Sequence, residues 1–293
     1  MLAIGTVHTV VIPAAGLGTR LLPATKAFPK ELLPLVDRPI IQYGVEEAVR
    51  SGVRRVVLVT SPGNKMTAEH FAPNPTLEDQ LAARGQTELL ASVRALTAIA
   101  EITTVHQEHP LGLGHAVLCA KASLGDAPFA VLLPDDIIDA DPPALRQMID
   151  VFVELGGPVV LVERVPHDAV NRYGIIDADP VRNGVFRIRN LVEKPQPDDA
   201  PSDLAIVGRY ILTPDLFGAL EETGAGADGE FQLTDALHRL QRERPMYACE
   251  LAGTRHDAGT KLGFLQAAIH FALKRPDLET QLRAYIDAHV TKP

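Results

Sequence analysis

VIPAAGLGTRLLPATKAFPKELLPLVDRPIIQY, residues Val11 to Tyr43, runs from an apolar strand into a loop holding Gly16 and Gly18, then places Arg20, Lys26 and Lys30 within a short reach. Glycines without side chains let backbone N–H groups approach an anion closely, and a loop that follows a strand is where α/β proteins hold phosphate. The prolines Pro13, Pro23, Pro29, Pro34 and Pro39 forbid a continuous helix and keep the cations on a stiff, extended segment. The expected ligand is a chain of phosphates. Two common phosphate-loop patterns do not apply. Leu21 stands where the dinucleotide fingerprint needs its third glycine, and no Gly-Lys-Ser/Thr follows at P-loop spacing.

Outward from this stretch, β-branched apolar runs of strand length recur at Thr9 to Pro13, Arg55 to Thr60, Ile102 to His106, Phe129 to Leu133 and Val159 to Val165. Helical patterns separate most of them, at Ile40 to Arg50, Ala116 to Ser123 and Ala144 to Leu155. The alternation predicts α/β architecture, a doubly wound, largely parallel, Rossmann-like sheet flanked by helices. The rhythm breaks between Thr67 and Ala100, where two helical patterns lie around Leu77 to Arg84 and Glu88 to Leu96. From Tyr173 onward strands dominate, at Tyr173 to Asp177, Gly184 to Glu193 and Ala205 to Leu212, so a β-rich section should cap one end of the sheet. Thr260 to Lys274 and Leu278 to Val290 read as two C-terminal helices split at Pro276.

Composition narrows the function. The chain has 293 residues and is 46% hydrophobic, enough for a sizeable core. A net charge of −9 argues against a general nucleic-acid or anionic-membrane partner, while leaving room for a local basic site. MLAIGTVHTVVIP has no cationic leader and reads as the first strand, and no apolar run approaches a membrane span. Cys119 and Cys249 are too few and too isolated for a disulfide framework or a zinc site, so a reducing cytoplasm is expected.

Chemistry-bearing residues cluster at strand ends. LLPDDII puts Asp135 and Asp136 after an apolar strand, where α/β sheets place ligands, and a hard cation such as Mg²⁺ needs only one or two such carboxylates beside phosphate oxygens. Glu193 and Lys194 close another strand. Alternation would turn them to opposite faces, unless the loop that follows swings both into one pocket. Gly174 and Gly208 suit either a close approach to a ligand or a bulge. His109, His115 and His256 fit no common zinc spacing.

Beyond the opening G-x-G-T-R and P-K, further motifs follow in order: GLGHAVLCA (Gly112 to Ala120), LLPDDII (Leu132 to Ile138), VEKP (Val192 to Pro195), APSDLAIVGRYIL (Ala200 to Leu212), FQLTDAL (Phe231 to Leu237) and HDAGTKLGFLQA (His256 to Ala267). Over most of the chain they resemble the sugar-1-phosphate nucleotidyltransferase family. The helical stretch from Thr67 to Ala100 is similar to an insertion of its bacterial uridylyltransferase branch and unlike the shorter thymidylyltransferases.

The resemblance implies one nucleotidyltransferase domain over residues 1–293, with a nucleotide-binding part at about 8–165, a sugar-binding part at about 166–260 and C-terminal helices at about 260–293. It implies a Mg²⁺-dependent transfer from UTP to α-D-glucose 1-phosphate, giving UDP-glucose and pyrophosphate, by a cytoplasmic homo-oligomer, dimer or tetramer. Arg20 and Lys30 take the catalytic positions. Ala15, Gly16, Gly18, Glu31, Gln107, Gly112 and Gly114 match the nucleotide-binding positions, and the primary amide of Gln107 suits uracil, which offers an N3–H donor between carbonyl acceptors. Asp136, Gly174, Glu193, Lys194 and Gly208 match those for the sugar phosphate, and Asp135 with Asp257 those for the metal. Two alternatives stay open: the same chemistry with dTTP, and a non-catalytic sugar-nucleotide sensor. Joint presence of Arg20, Lys30 and Asp135 speaks against the sensor.

Overall fold

Nine strands of one twisted sheet organise the chain in the computed structural model, which describes residues 6–226 and 229–290. In chain order they are β1 (Thr9–Ala14), β2 (Arg55–Thr60), β3 (Glu101–His106), β4 (Phe129–Leu132), β5 (Val159–Arg164), β6 (Gly174–Arg182), β7 (Val185–Glu193), β8 (Leu204–Leu212) and β9 (Tyr247–Glu250). Their spatial order is β3-β2-β1-β4-β8-β5-β9-β7-β6. The first four are mutually parallel. β8 then enters antiparallel between β4 and β5, and β6 with β7 forms an antiparallel hairpin at the far side. The βα alternation therefore describes the half that carries the glycine loop, and the β-rich section supplies the reversed strands.

Period-2 alternation divides the core between two faces. Val11, Val57 and Val131 face helices Leu113–Cys119, Leu216–Thr223 and Leu233–Glu243. Val10, Ile12 and Leu58 face helices Ile40–Arg50 and Ala144–Leu155. Two of these helices, Leu216–Thr223 and Leu233–Glu243, are not among the sequence expectations. The expected helix from Ala116 begins earlier, at Leu113, and breaks at Ala120. In the Thr67 to Ala100 stretch, helices Pro75–Ala83 and Thr87–Thr97 pack on each other, with Arg94 donating to Glu78 at 2.8 Å.

A small two-stranded ribbon positions the acidic residues. Asp136–Asp139 pairs antiparallel with Thr254–Asp257, setting Asp136 opposite Asp257. Helix Lys261–Leu273 lies over this ribbon on its own small core of Leu35, Ile40, Ile137, Ala258 and Ala267. The approach is tight enough to demand glycine: a Cβ on Gly263 would stand 2.0 Å from the Asp257 carbonyl oxygen. Gly263→Ala should therefore push the helix off the ribbon at a cost of about 1–3 kcal/mol or more. Thermal unfolding measures this directly, and an unchanged Tm would show that the helix does not sit so close.

Candidate active site

Two chambers open side by side above the carboxyl ends of β1 and β4, the usual ligand face of such a sheet. The first, about 450 Å³, is lined by Ala15, Gly16, Lys30, Glu31, Gln107 and Gly112 among others. The second, about 620 Å³, is lined among others by Arg20, Asp136, Gly174, Glu193, Lys194 and Gly208. Leu113, Leu133 and Asp135 belong to both walls, so the chambers meet at the Asp135 carboxylate.

The glycine loop is shaped by contacts within itself. Gly18 has φ +63°, and a Cβ there would press on Lys30 and Thr25 at 3.1–3.3 Å, while the Thr25 hydroxyl donates to the Gly18 carbonyl at 2.8 Å. Gly18 thus lets the loop fold back and brings Lys30 to the chamber, without lining it. Gly114 acts in the same indirect way, because its N–H donates to the Phe231 carbonyl at 2.8 Å and a Cβ would clash there. Lys26 lies apart, in a smaller hollow with Gly16, Lys30, Gly63 and Asn64.

Lys30 Nζ donates to Asp135 Oδ2 at 2.5 Å. Burial alone would lower the pKa of Lys30, but the Asp135 and Glu31 carboxylates outweigh it and hold the ammonium above its ordinary value. Burial alone would likewise raise Asp135, yet Lys30 keeps that carboxyl below the usual range. Both groups stay charged. Asp257 stands close by, with Oδ1 accepting the Gly259 N–H at 3.0 Å. The place a Cβ of Gly259 would occupy is 2.8 Å from Asp135 Oδ2 and 3.1 Å from Asp257 Oδ1, so both carboxylates lie close against Gly259 and near each other. Two hard oxygen donors beside room for phosphate fit a Mg²⁺ ion, which keeps waters and needs no full protein cage.

Gln107 sits differently from the sequence expectation. Its amide nitrogen already donates to the Gly112 carbonyl at 3.1 Å and lies 3.0 Å from His115 Nδ1. The carboxamide oxygen is thus the atom left to meet a base, and it can accept but not donate. Glu31 is only 1% exposed, with neither carboxylate oxygen hydrogen-bonded, beside the same chamber.

In the second chamber Glu193 and Lys194 turn into one pocket because Lys194 takes φ +46°, which breaks the strand alternation. Their side chains pair at 3.2 Å. Gly174 lies between Thr234 and Glu193, where a Cβ would meet both at 3.2–3.3 Å. Asp136 uses both oxygens within the protein: Oδ1 accepts from Arg255 at 2.6 Å and Oδ2 from the Gly208 N–H at 3.0 Å. Gly208 is small for that reason, since a Cβ would lie 2.5 Å from Asp136 Oδ2. Arg255, Tyr173 and Thr234 complete the wall and were missed in the sequence. Arg255, two residues before Asp257 on one strand, was reachable by alternation, and Thr234 lies inside FQLTDAL.

Known proteins resemble the chain over nearly its whole length. Residues 9–273 match the family described as nucleotidyl transferase. The chain is 45% identical over 286 residues, 98% of both proteins, to a UTP–glucose-1-phosphate uridylyltransferase of Bacillus subtilis. It is 46% identical to the Staphylococcus epidermidis protein of the same name, covering 94% of this chain and 96% of that one. Among solved structures, a UTP-bound UGPase from Acinetobacter baumannii superposes with TM-score 0.89 at 38% identity, covering 98% of this chain and 100% of that one. A UDP-glucose pyrophosphorylase complexed with UDP-glucose superposes at TM-score 0.84 with 39% identity, covering 92% and 100%.

Glu31 carries a pH signature. Burial pushes its carboxyl from an ordinary 4.5 up to about 7, against the pull of Lys30. Below pH 4.5 the side chain is neutral in folded and unfolded chains alike. As pH rises toward about 7 the unfolded chain loses its proton first, so stability falls across that window by about 3 kcal/mol and then levels. Glu31→Gln lacks this slope. Its Tm relative to the wild type should climb between pH 4.5 and 7 in substrate-free protein, and a difference independent of pH would refute the buried, unpaired carboxyl.

Proposed function

The chain belongs to the nucleotidyl transferase family, and from its likeness to uridylyltransferases over nearly its whole length we infer that it joins UTP to α-D-glucose 1-phosphate, forming UDP-glucose and releasing pyrophosphate. The observation that carries the reading is the meeting of two chambers at Asp135, with the Lys30 ammonium seated on its carboxylate. One chamber suits a nucleotide and the other a phosphorylated sugar. Where they meet, a phosphate oxygen of the sugar phosphate can attack the α-phosphorus while the bond to the β-phosphate breaks and its electron pair leaves with pyrophosphate.

Such a transfer asks for orientation and relief of charge rather than covalent help. Lys30 holds a positive charge at the junction, and Arg20 adds a second on the sugar side of it. Asp135 and Asp257 would hold Mg²⁺ together with substrate phosphate oxygens, and the chemistry it supplies is neutralisation of the triphosphate charge. Gln107 offers its carboxamide oxygen to the uracil N3–H, and Gly16 and Gly112 leave room for the base and ribose. Glu193 accepts from glucose hydroxyls, and Lys194 faces the sugar phosphate. The same reading keeps a nucleotide-binding part at about 8–165 and a sugar-binding part at about 166–260, with Arg20 and Asp136 of the first part also lining the sugar chamber.

A homo-oligomer fits the exposed apolar stripe Leu262, Leu265 and Ile269 on helix Lys261–Leu273, beside exposed Leu22. A cytoplasmic setting fits the two free cysteines, and among the described residues no helix is long and apolar enough to cross a membrane.

Purified protein given each of the four ribonucleoside triphosphates and dTTP with glucose 1-phosphate should release pyrophosphate fastest with UTP. Lys30→Ala should keep the fold and lose on the order of a hundredfold in kcat. Asp135→Asn should fall sharply and recover partly as Mg²⁺ is raised, whereas a magnesium titration matching the wild type would remove Asp135 from the metal site. Gln107→Ala should lower kcat/KM for UTP and narrow the UTP-to-CTP ratio, because cytosine has no N3–H for the carboxamide oxygen. Equal losses with both nucleotides would end its role in reading the base.

A further inference from the structure

Strand β8 reads LAIVGRYIL and buries an arginine in the middle of the molecule. Arg209 is 1% exposed, and its partner Glu47, on helix Ile40–Arg50, is 7% exposed. Replacing a buried ion pair by well-packed apolar side chains is often neutral or stabilising, so stability alone does not account for this one. Its hydrogen bonds suggest another task. Arg209 Nε and one Nη donate to the Glu47 carboxylate at 2.7–3.3 Å. The remaining N–H groups donate to the carbonyls of Leu133 at 3.1 Å, Gly208 at 2.9 Å and Asp136 at 2.7 Å. The whole guanidinium fork is thereby used, a geometry that lysine cannot supply.

Leu133 and Asp136 bracket the turn that presents Asp135. The same turn is tied to Gly208 by the Leu133 N–H donating to the Gly208 carbonyl at 2.8 Å and by the Gly208 N–H donating to Asp136 Oδ2 at 3.0 Å. Glu47 Oε1 also accepts the Leu145 N–H at 3.1 Å, which ties in helix Ala144–Leu155. Between Val207 and Tyr210 the register of β8 on β5 slips, so Arg209 is aimed by a local irregularity in the strand.

We propose that Arg209, oriented by Glu47, is a positioning residue that holds both ends of the Asp135 turn against Gly208 and so fixes the junction carboxylate relative to Lys30 and the sugar chamber. The proposal rests on the reading of Asp135 as the carboxylate that serves the metal and the reacting phosphates. Glu47 reaches the site through the helix that follows the Lys30 loop after the short ribbon Pro34–Leu35 and Arg38–Pro39, so the clamp spans the three segments whose relative placement the transfer needs. A displacement of the order of an ångström at a reacting centre costs on the order of a hundredfold in rate.

Glu47→Gln keeps the volume and one acceptor oxygen but removes the charge that orients the fork. Arg209→Lys keeps the charge but cannot span the Leu133 and Asp136 carbonyls. In folded protein, below each variant's own Tm, kcat should fall on the order of ten- to a hundredfold while KM for UTP changes much less. Affinity for Mn²⁺, used as the metal probe and measured by calorimetry, should weaken with it. A lowered Tm with wild-type kcat and wild-type Mn²⁺ affinity would reduce the pair to a structural role and overturn the proposal. Should neither variant fold, hydrogen exchange on the wild type decides. Amides of Leu133, Asp136 and Gly208 should exchange only through global unfolding, and exchange at the rate of surface loops would overturn the clamp. Asp135→Asn measured alongside separates the two ideas. If that variant binds Mn²⁺ like the wild type, the reading of Asp135 itself fails; if it loses Mn²⁺ while Glu47→Gln and Arg209→Lys do not, only the clamp fails.

Discussion

Lys30 and Asp135, 2.5 Å apart, close the proline-stiffened loop onto the end of a central strand, and the geometry of both chambers follows from that contact. Without it the Lys30 side chain would be an unpaired cation beside the cleft, and the carboxylate would stand at the cleft with its charge unbalanced. Each keeps the other charged against burial. The pair also separates two kinds of space, since on one side lie the Gln107 and Gly112 walls and on the other Glu193, Lys194 and Arg255. A transfer between two highly anionic substrates needs fixed charge at the point where they approach, and here that charge is assembled before either arrives.

Much of the fold could be read from the chain because local preferences and the final structure agree in the first half. Strands at Thr9, Arg55, Ile102, Phe129 and Val159 and helices at Ile40 and Ala144 appear close to where the periodicity places them. What local pattern could not give is the order of strands. Nothing in LAIVGRYIL says that it enters between β4 and β5, because a run buried on both faces looks alike in any central position. Helices Leu216–Thr223 and Leu233–Glu243 escaped because both are short, at eight and eleven residues, and flank one glycine-rich polar stretch.

The candidate site was legible in its residues and less so in their duties. Loop, carboxylates and the Glu193–Lys194 pair come together as the motifs suggest. Gln107 shows the limit: its type fits a uracil edge, yet its amide nitrogen is spent on Gly112 and His115, which only tertiary packing reveals. Asp136 is similar, since its oxygens hold Arg255 and Gly208. Arg209 and Glu47 were invisible for a different reason. Arg209 is a lone charge in an apolar run, Glu47 is one of two adjacent glutamates on an amphipathic helix, and the pairing spans 162 positions.

The insertion of β8 beside β4 bears on synthesis as well as on the finished enzyme. During translation β4 leaves the ribosome about 70 residues ahead of the strand that will cover its edge. At about 5–20 residues per second, several seconds pass in which an apolar strand, FAVL, has a bare hydrogen-bonding edge. A nascent chain in that interval is open to pairing with a neighbour on the same message. The completed sheet removes the hazard by burying that edge under β8, at the very place where Gly208 and Arg209 later shape the site.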